Sequence, residues 1–340
     1  MKFPCLILML LSMLSSVSQA EEDQPPSRGD LLIIQGSAGT EEYGEMFSTW
    51  AKRWQVAAEK GGVNLFHSQP ETTAEESQKA ILTQKINEVA KDSQSPLWIV
   101  MIGHGTFDGR TARFNLSGPD LSAQELDELL VPITRTTIVI NCASSSAPFI
   151  EKLSQANRIL LTSTRSGEQI NFSHFGDYLS SAIADPAADL DKDKQTSLLE
   201  AFLIATRKTL EFYEADGRIP TENSLLDDNG DGKGTRATAF QGVRAIAQPE
   251  EAGVLLDGFR AHQFHLIESD TDKHLSPEII ARRNELEKKI ELLRLQKNKL
   301  AEDDYYNQLE VLFLEIAELI VPESRTQNSR ENQPEPAKEE

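Results

Sequence analysis

Cysteine is nearly absent from this chain of 340 residues, which contains only two, Cys5 and Cys142. Cys5 lies in an apolar run near the start of the chain, and residues 1–20 have the pattern of a secretory signal peptide. Removal of that peptide would leave Cys142 as the sole thiol, which cannot form a disulfide within the mature chain. We therefore expect an exported protein, secreted or periplasmic, with one free cysteine.

Basic residues are also scarce, with 34 Lys and Arg against 54 Asp and Glu, for a formal net charge of −20. This charge argues against nucleic acids and anionic membranes as partners, and it favours cationic ligands such as calcium or basic peptides. Long apolar runs are missing too. The run at residues 5–14 is too short to span a bilayer, so no membrane contact is expected beyond the signal peptide.

Two stretches organise the rest of the chain. Residues 97–105 (LWIVMIGHG) and 136–145 (TTIVINCASS) are apolar, largely β-branched runs that stop at a glycine or polar turn. Such runs predict strands buried on both faces of a parallel sheet. One strand ends at His104 and Gly105, the other at Cys142. Because ligands collect at the carboxyl ends of parallel strands, these residues can form a thiolate nucleophile with an acid/base partner.

The same residues also have a simpler interpretation. A free cysteine often behaves as a small buried hydrophobe, and a histidine at a strand end is often satisfied by local hydrogen bonds. The sequence pattern keeps both alternatives open.

The surrounding pattern alternates strands and helices. Residues 31–35 and 63–67 predict strands, residues 74–91 predict a helix, and residues 158–164 predict a strand after the cysteine. An earlier helix is indicated by apolar residues at helical spacing, namely Phe47, Trp50, Ala51, Trp54 and Ala58. This β-α-β-α-β order implies right-handed crossovers and a parallel sheet. We predict an α/β three-layer sandwich with its core at residues 30–185, inside a domain spanning residues 21–270.

The C-terminal part has a different character. Residues 277–321 predict a helical hairpin with coiled-coil-like spacing. One apolar seam comprises Leu286, Ile290, Leu293 and Leu300, and the other Leu309, Phe313, Ile316 and Ile320. The hairpin can join copies into a homo-oligomer, cap the preceding domain, or pack as an ordinary hairpin within one chain. Residues 322–340 are predicted to be a disordered tail.

The order of these motifs resembles the clan of caspases, legumains, gingipains and separases. An apolar strand ending in His-Gly and a later one ending in Cys-small are similar to the clan's pattern. Residues 33–39 (IIQGSAG) resemble the first strand and Gly-Ser-x-Gly turn of legumains, and the resemblance covers roughly residues 30 to 185. It implies a caspase-like sandwich and a legumain-like cysteine peptidase acting on peptide or protein substrates, with no cofactor required for catalysis.

The resemblance also implies roles for individual residues. Cys142 is the expected nucleophile, His104 the general acid/base, and the backbone N–H groups of Gly105 and Cys142 the oxyanion hole. Two alternatives use the same fold: a catalytically inactive binding or scaffold protein, and a transpeptidase in which an amine captures the acyl-enzyme.

Substrate recognition is less defined. Glu42 stands where legumains have an asparagine, and it either orients His104 or lies solvated in a loop. Gly44 stands where they have a pocket arginine, which argues against strict asparagine specificity. Arg165, Glu168 and Asp177 follow the next strand, in the segment that forms a pocket wall in related enzymes. The acidic pair would favour Arg or Lys in the substrate, whereas Arg165 would favour the opposite charge.

Two acidic insertions at residues 185–236 have calcium-loop spacing. The first has oxygen-bearing residues at positions 1, 3, 5, 7, 9 and 12 of an EF-hand loop: Asp189, Asp191, Asp193, Gln195, Ser197 and Glu200. Its departure is Lys194 at the usual glycine. The second begins with Asp227, Asn229 and Asp231 but has Thr238 at position 12. Either loop would hold structural calcium, or it is an acidic turn that caps a helix.

Overall fold

The computed structural model describes residues 27–70, 77–90, 95–247, 249 and 254–320. The predicted signal peptide and disordered tail lie outside these residues. The strands are β1 (Asp30–Gln35), β2 (Asn64–Ser68), β3 (Leu97–Ile102), β4 (Gly105–Phe107), β5 (Ala112–Phe114), β6 (Leu121–Ser122), β7 (Thr137–Asn141), β8 (Arg158–Thr162), β9 (Leu225–Asp227), β10 (Phe240–Gln241) and β11 (Arg244–Ala245). The helices are α1 (Glu41–Gly61), α2 (Gln78–Val89), α3 (Ala123–Leu130), α4 (Pro148–Leu153), α5 (Phe175–Ala182), α6 (Leu198–Ala215), α7 (Phe259–His262), α8 (Pro277–Leu295) and α9 (Glu302–Ile320).

A six-stranded sheet lies at the centre, in the order β2-β1-β3-β7-β8-β9. The first five strands run parallel and β9 runs antiparallel to β8. Every residue of β3 and β7 is buried, as continuous apolar runs predict. The β9 edge is closed on its outer side, because Leu226 and Thr235 exchange backbone hydrogen bonds of 3.0 and 2.7 Å. The predicted mostly parallel sheet is therefore confirmed.

Helices cover both faces of this sheet. The first face packs against α1, α5 and α6, through side chains such as Trp50, Phe175 and Phe202. The second packs against α2, α3 and α4, through side chains such as Leu126 and Phe149. Alternate residues of each strand supply the two cores, because successive side chains of a strand point to opposite faces. The three-layer prediction is confirmed.

Two helix ends predicted from local sequence signals are found in the structure. Helix α1 ends at Gly62, whose φ of 66° is the left-handed conformation that glycine adopts without strain. Ser122 and Glu125 form the predicted capping box at the start of α3. The capping box marks where α3 begins, and the left-handed glycine marks where α1 ends.

Helices α8 and α9 form the predicted helical hairpin. Leu286, Ile290 and Leu293 of the first seam are buried. The second seam is more exposed to solvent than the first. Phe313 of that seam is 47 % exposed, and the buried residue of α9 is Tyr305, which lies outside the seam. None of the helices in the described ranges is both long enough and apolar enough to cross a membrane.

Candidate active site

Cys142 and His104 follow neighbouring strands at the same edge of the sheet. Met101 of β3 pairs with Asn141 of β7, so Cys142 lies beside Ile102, two residues before the histidine. Cys142 belongs to the core on the α1 side of the sheet. The ring of His104 contacts Tyr43 and Phe47 of α1, with centroid distances of 4.8 and 5.2 Å. The structure thus brings both predicted catalytic residues to one face.

The imidazole of His104 is oriented by a backbone carbonyl. Its Nε2 lies 3.1 Å from the carbonyl oxygen of Ala38, in the turn between β1 and α1. An Nε2–H donor in this bond leaves Nδ1 as the free acceptor of a neutral ring. Glu42 was predicted either to orient His104 or to be solvated, and it lies exposed on the first turn of α1. The orienting contact therefore comes from Ala38.

The thiol of Cys142 is enclosed. The residue is 1 % exposed, and a Cβ added to Gly176 would lie 2.7 Å from the Cys142 Cβ and 2.8 Å from the ring of Trp50. Burial, and then the negative charge of Glu222, raise the pKa of Cys142 to about 12. In the described residues, no hydrogen bond joins this thiol to His104. The thiol is accordingly neutral at physiological pH in this arrangement.

Glu222 is a buried carboxylate that the sequence did not point to. It is 2 % exposed, its carboxylate lies at the start of α5, and its charge acts on the thiol of Cys142. Its hydrogen-bond donors are the Ser173 hydroxyl, the His174 and Phe175 amides and the Tyr213 hydroxyl. The carboxylate thus accepts hydrogen bonds from the two hydroxyls and from open amides at the helix N-terminus. Gly176, on the same turn, is the second residue that sequence reasoning missed.

The two predicted oxyanion-hole donors differ in their hydrogen bonds. The N–H of Cys142 donates 2.9 Å to the carbonyl of Met101, which continues the β3–β7 ladder. The prediction that this N–H stabilises an oxyanion is therefore wrong for the described arrangement, because the donor is already committed. The N–H of Gly105 makes only a long 3.4 Å contact to the Ser144 hydroxyl, which a stronger acceptor would displace.

Gly105 itself is required by close backbone packing. A Cβ at this position would lie 2.2 Å from the carbonyl oxygen of Ser144. The neighbouring Ser145 has φ of 54° and a buried hydroxyl without a hydrogen-bond partner among the described residues. The loop after β7 is thus tightly packed and locally strained, as is common near functional sites.

The predicted specificity residues separate into two places. Arg165 and Glu168 line a cleft of about 580 Å³ together with Phe107 and Arg110. Asp177 instead lies on α5, where its carboxylate pairs with Arg53 of α1 at 2.5 Å. The prediction that Asp177 shares a pocket wall with Glu168 is wrong, because α5 carries it to the other side of the sheet.

The first acidic loop brings three of its predicted ligands together. Single oxygens of Asp189, Asp191 and Asp193 lie within 4.8 Å of one another. Glu200 is buried and turned to the amides of Leu190 and Asp191 and to its capping box. The remaining predicted ligand is Gln195, whose side chain contacts Asp193, Ser269 and Asp272.

The second loop does not assemble such a group in the part of the chain that is described. Asp227 is buried and accepts the N–H of Gly230, while Asn229 and Asp231 accept amides two residues ahead. The predicted ligands of this loop therefore serve its own turn.

Comparisons with known proteins give no match by sequence and partial matches among solved structures. No protein-family model matches the chain, and no curated protein matches it by sequence. Among solved structures, it is similar to caspase-1 from Spodoptera frugiperda, at 12 % identity and a TM-score of 0.38 over 59 % of this chain and 86 % of that one. It is also similar to the Drosophila initiator caspase Dronc, at 14 % identity and 0.39, over 62 % and 83 %. The α/β sandwich and the C-terminal helical hairpin predicted from the sequence are both present in the structure itself.

Proposed function

We propose that this protein is a cysteine endopeptidase of the legumain-like type, with Cys142 as nucleophile and His104 as general acid/base. The observation that carries the proposal is the position of these two residues at the ends of adjacent parallel strands, on one face of the sheet. The carbonyl of Ala38 supports it, because it holds the imidazole with Nδ1 free to exchange a proton.

The proposed reaction is acyl transfer. The sulfur of Cys142 bonds to the peptide carbonyl carbon and its proton passes to His104, which then protonates the leaving amine as the C–N bond breaks. Water, deprotonated by the same imidazole, hydrolyses the thioester. The N–H of Gly105 donates to the oxyanion, and such a donor is typically worth roughly 3 kcal/mol in the transition state.

The reaction requires the thiol to become accessible. A buried thiol with a pKa near 12 reacts slowly at neutral pH. We therefore expect the active form to differ around Gly176 and Trp50, the groups that cover Cys142, and we expect activation to precede catalysis.

The enclosed thiol also favours a second candidate, a catalytically inactive protein that uses the same fold to bind or organise partners. In that case Cys142 is a core residue and the exposed part of α9 is a candidate surface, through which copies of the chain would associate. A transpeptidase remains within the first proposal, because an amine can replace water as the acceptor of the acyl group.

The setting proposed for either activity is outside the cytoplasm, with residues 1–20 as the export signal. The substrate or partner is a peptide or protein, and no nucleic acid or membrane is proposed. The cleft that contains Arg165 and Glu168 is not lined by Cys142, His104 or Gly105, so the preferred residue at the cleavage site has to be measured.

The deciding experiment is mass spectrometry of the protein after treatment with peptidyl acyloxymethyl ketones that carry Asn, Asp, Arg or Lys beside the warhead. Wild type is compared with Cys142→Ala and His104→Ala, before and after limited proteolysis and with calcium present. An adduct on Cys142 that requires His104 is expected. Its absence with every reagent would favour the inactive binding protein. Peptide products formed with and without an added amine separate hydrolysis from transpeptidation.

A further inference from the structure

The loop between the 3₁₀ turn at residues 186–188 and α6 presents three carboxylates at one point. Asp189, Asp191 and Asp193 occupy alternate positions, and one oxygen from each lies within 4.8 Å of the others. Three negative charges this close repel one another unless a cation lies between them. Oxygen ligands at alternate loop positions are the arrangement that wraps calcium.

The backbone of this loop is already folded around the first carboxylate. Asp189 accepts the N–H of Lys192 at 2.6 Å and that of Lys194 at 3.1 Å. Both lysines adopt left-handed φ values, 68° and 75°. The second acidic loop has the same conformation at the corresponding positions, where Gly230 and Gly232 have φ of 81° and 75°. The first loop thus keeps this turn although lysine is strained in it.

A histidine on another segment supplies an independent observation. The backbone of His265 bridges Ser197 near the end of the loop, and its side chain is 9 % exposed. Its Nε2 has no hydrogen-bond partner among the described residues and faces Asp193 Oδ2 across 4.0 Å. This gap is too long for a hydrogen bond, and a water that hydrogen-bonds to both atoms would bridge it. A buried, unpaired ring nitrogen is costly, so a group in this gap would satisfy it.

We propose that residues 189–200 bind one calcium ion. Asp189, Asp191 and Asp193 supply its carboxylate oxygens, and Nε2 of His265 accepts a hydrogen bond from a water bound to the ion. Calcium fits the donor set because all three direct ligands are hard oxygen atoms, whereas zinc would require nitrogen or sulfur as a direct ligand. His262 pairs with Asp191 Oδ2 at 3.0 Å. The other oxygens of the three carboxylates accept N–H groups of the loop, and each oxygen has a second lone pair with which it can bind the ion.

The proposed ion would also fix the C-terminal hairpin. The Gln195 amide donates to Asp193 at 3.0 Å and to Asp272 at 3.3 Å. Asp272 in turn pairs with Arg283 of α8 at 2.7 Å. A chain of polar contacts therefore connects the loop to α8. Ordering of the loop by calcium should reduce the rate at which proteases cleave the hairpin.

The test is isothermal titration and thermal melting of the full chain after chelation, with calcium, magnesium or zinc added. One calcium per chain is expected, with a rise in Tm of roughly 5 °C when calcium exceeds its Kd by 100-fold. Asp193→Asn should weaken binding at least tenfold. The matched control, Asp231→Asn at the same position of the second loop, should leave it unchanged. His265→Ala should weaken it about tenfold, as loss of a residue that hydrogen-bonds to a ligand of the metal does.

Several results would overturn the proposal. These are no binding of calcium by wild type, an equal loss in the Asp231 control, or binding of zinc alone that His265→Ala abolishes. Circular dichroism of each variant shows whether the fold is kept. Limited proteolysis of the hairpin with and without calcium is the second readout, and an unchanged cleavage rate would contradict the connection to α8.

Discussion

The enclosed thiol of Cys142 should make the stability of the protein fall at alkaline pH. The pKa of this thiol is raised from 9.0 to about 12, first by burial and second by Glu222. An unfolded chain loses the thiol proton near pH 9, whereas the folded chain keeps it until about pH 12. Between these values the unfolded state binds fewer protons, so rising pH favours unfolding. The slope is about 1.4 kcal/mol per pH unit, and the total about 4 kcal/mol.

The assay is urea denaturation of wild type and Cys142→Ala at pH 8 to 11 under reducing conditions. Subtracting the variant removes the titration of lysines and tyrosines, which both proteins share. The difference in unfolding free energy should be constant up to pH 9 and then shrink by roughly 2 to 3 kcal/mol by pH 11. Glu222→Gln should make this decrease in the free-energy difference between pH 9 and pH 11 smaller, whereas Glu211→Gln on the exposed face of α6 should leave it unchanged. A difference that stays flat to pH 11 refutes the reasoning.

Four further substitutions, one of them a control, test the packing and the loop. Gly176→Ala should destabilise the protein by about 1 to 3 kcal/mol in urea unfolding, because the added Cβ has no room. The control is Gly44→Ala, in an open part of α1, which should be neutral or stabilise by up to about 1 kcal/mol. Asp127→Asn should cost roughly 3 kcal/mol in the same assay, because it leaves the buried Arg158 guanidinium without its counter-charge; an unchanged midpoint would contradict this. Lys194→Gly should raise stability by about 1 kcal/mol in thermal melts without added metal, since glycine relieves the left-handed backbone.

The sheet and the placement of His104 and Cys142 after neighbouring strands were predictable from the sequence for one physical reason. Strands buried on both faces are continuous apolar runs, and their carboxyl ends meet at the same edge whatever the loops between them do. The capping box of α3 and the glycine end of α1 are likewise local signals that tertiary contacts did not override.

The details of the site depend on contacts that a sequence does not display. The group that orients His104 is the carbonyl of Ala38, and every residue type has a carbonyl. Glu222, which raises the pKa of the thiol, lies far from Cys142 in the sequence, after α6. The N–H of Cys142 donates to Met101 because the hydrogen bonds between β3 and β7 continue one residue past the end of β7. The sequence does not show at which residue such a ladder ends. Asp177 was misplaced because its partner, Arg53, lies on another helix.

The closed outer side of β9 limits how the sheet can grow. A sheet edge with open N–H and C=O groups is a template on which another chain can add a strand. The exchange of hydrogen bonds between Leu226 and Thr235 occupies that template. The opposite edge is β2, where Leu65 is 44 % exposed. Within the part of the chain that the structure describes, a peptide or a second copy could therefore extend this sheet outward from β2 and not from β9.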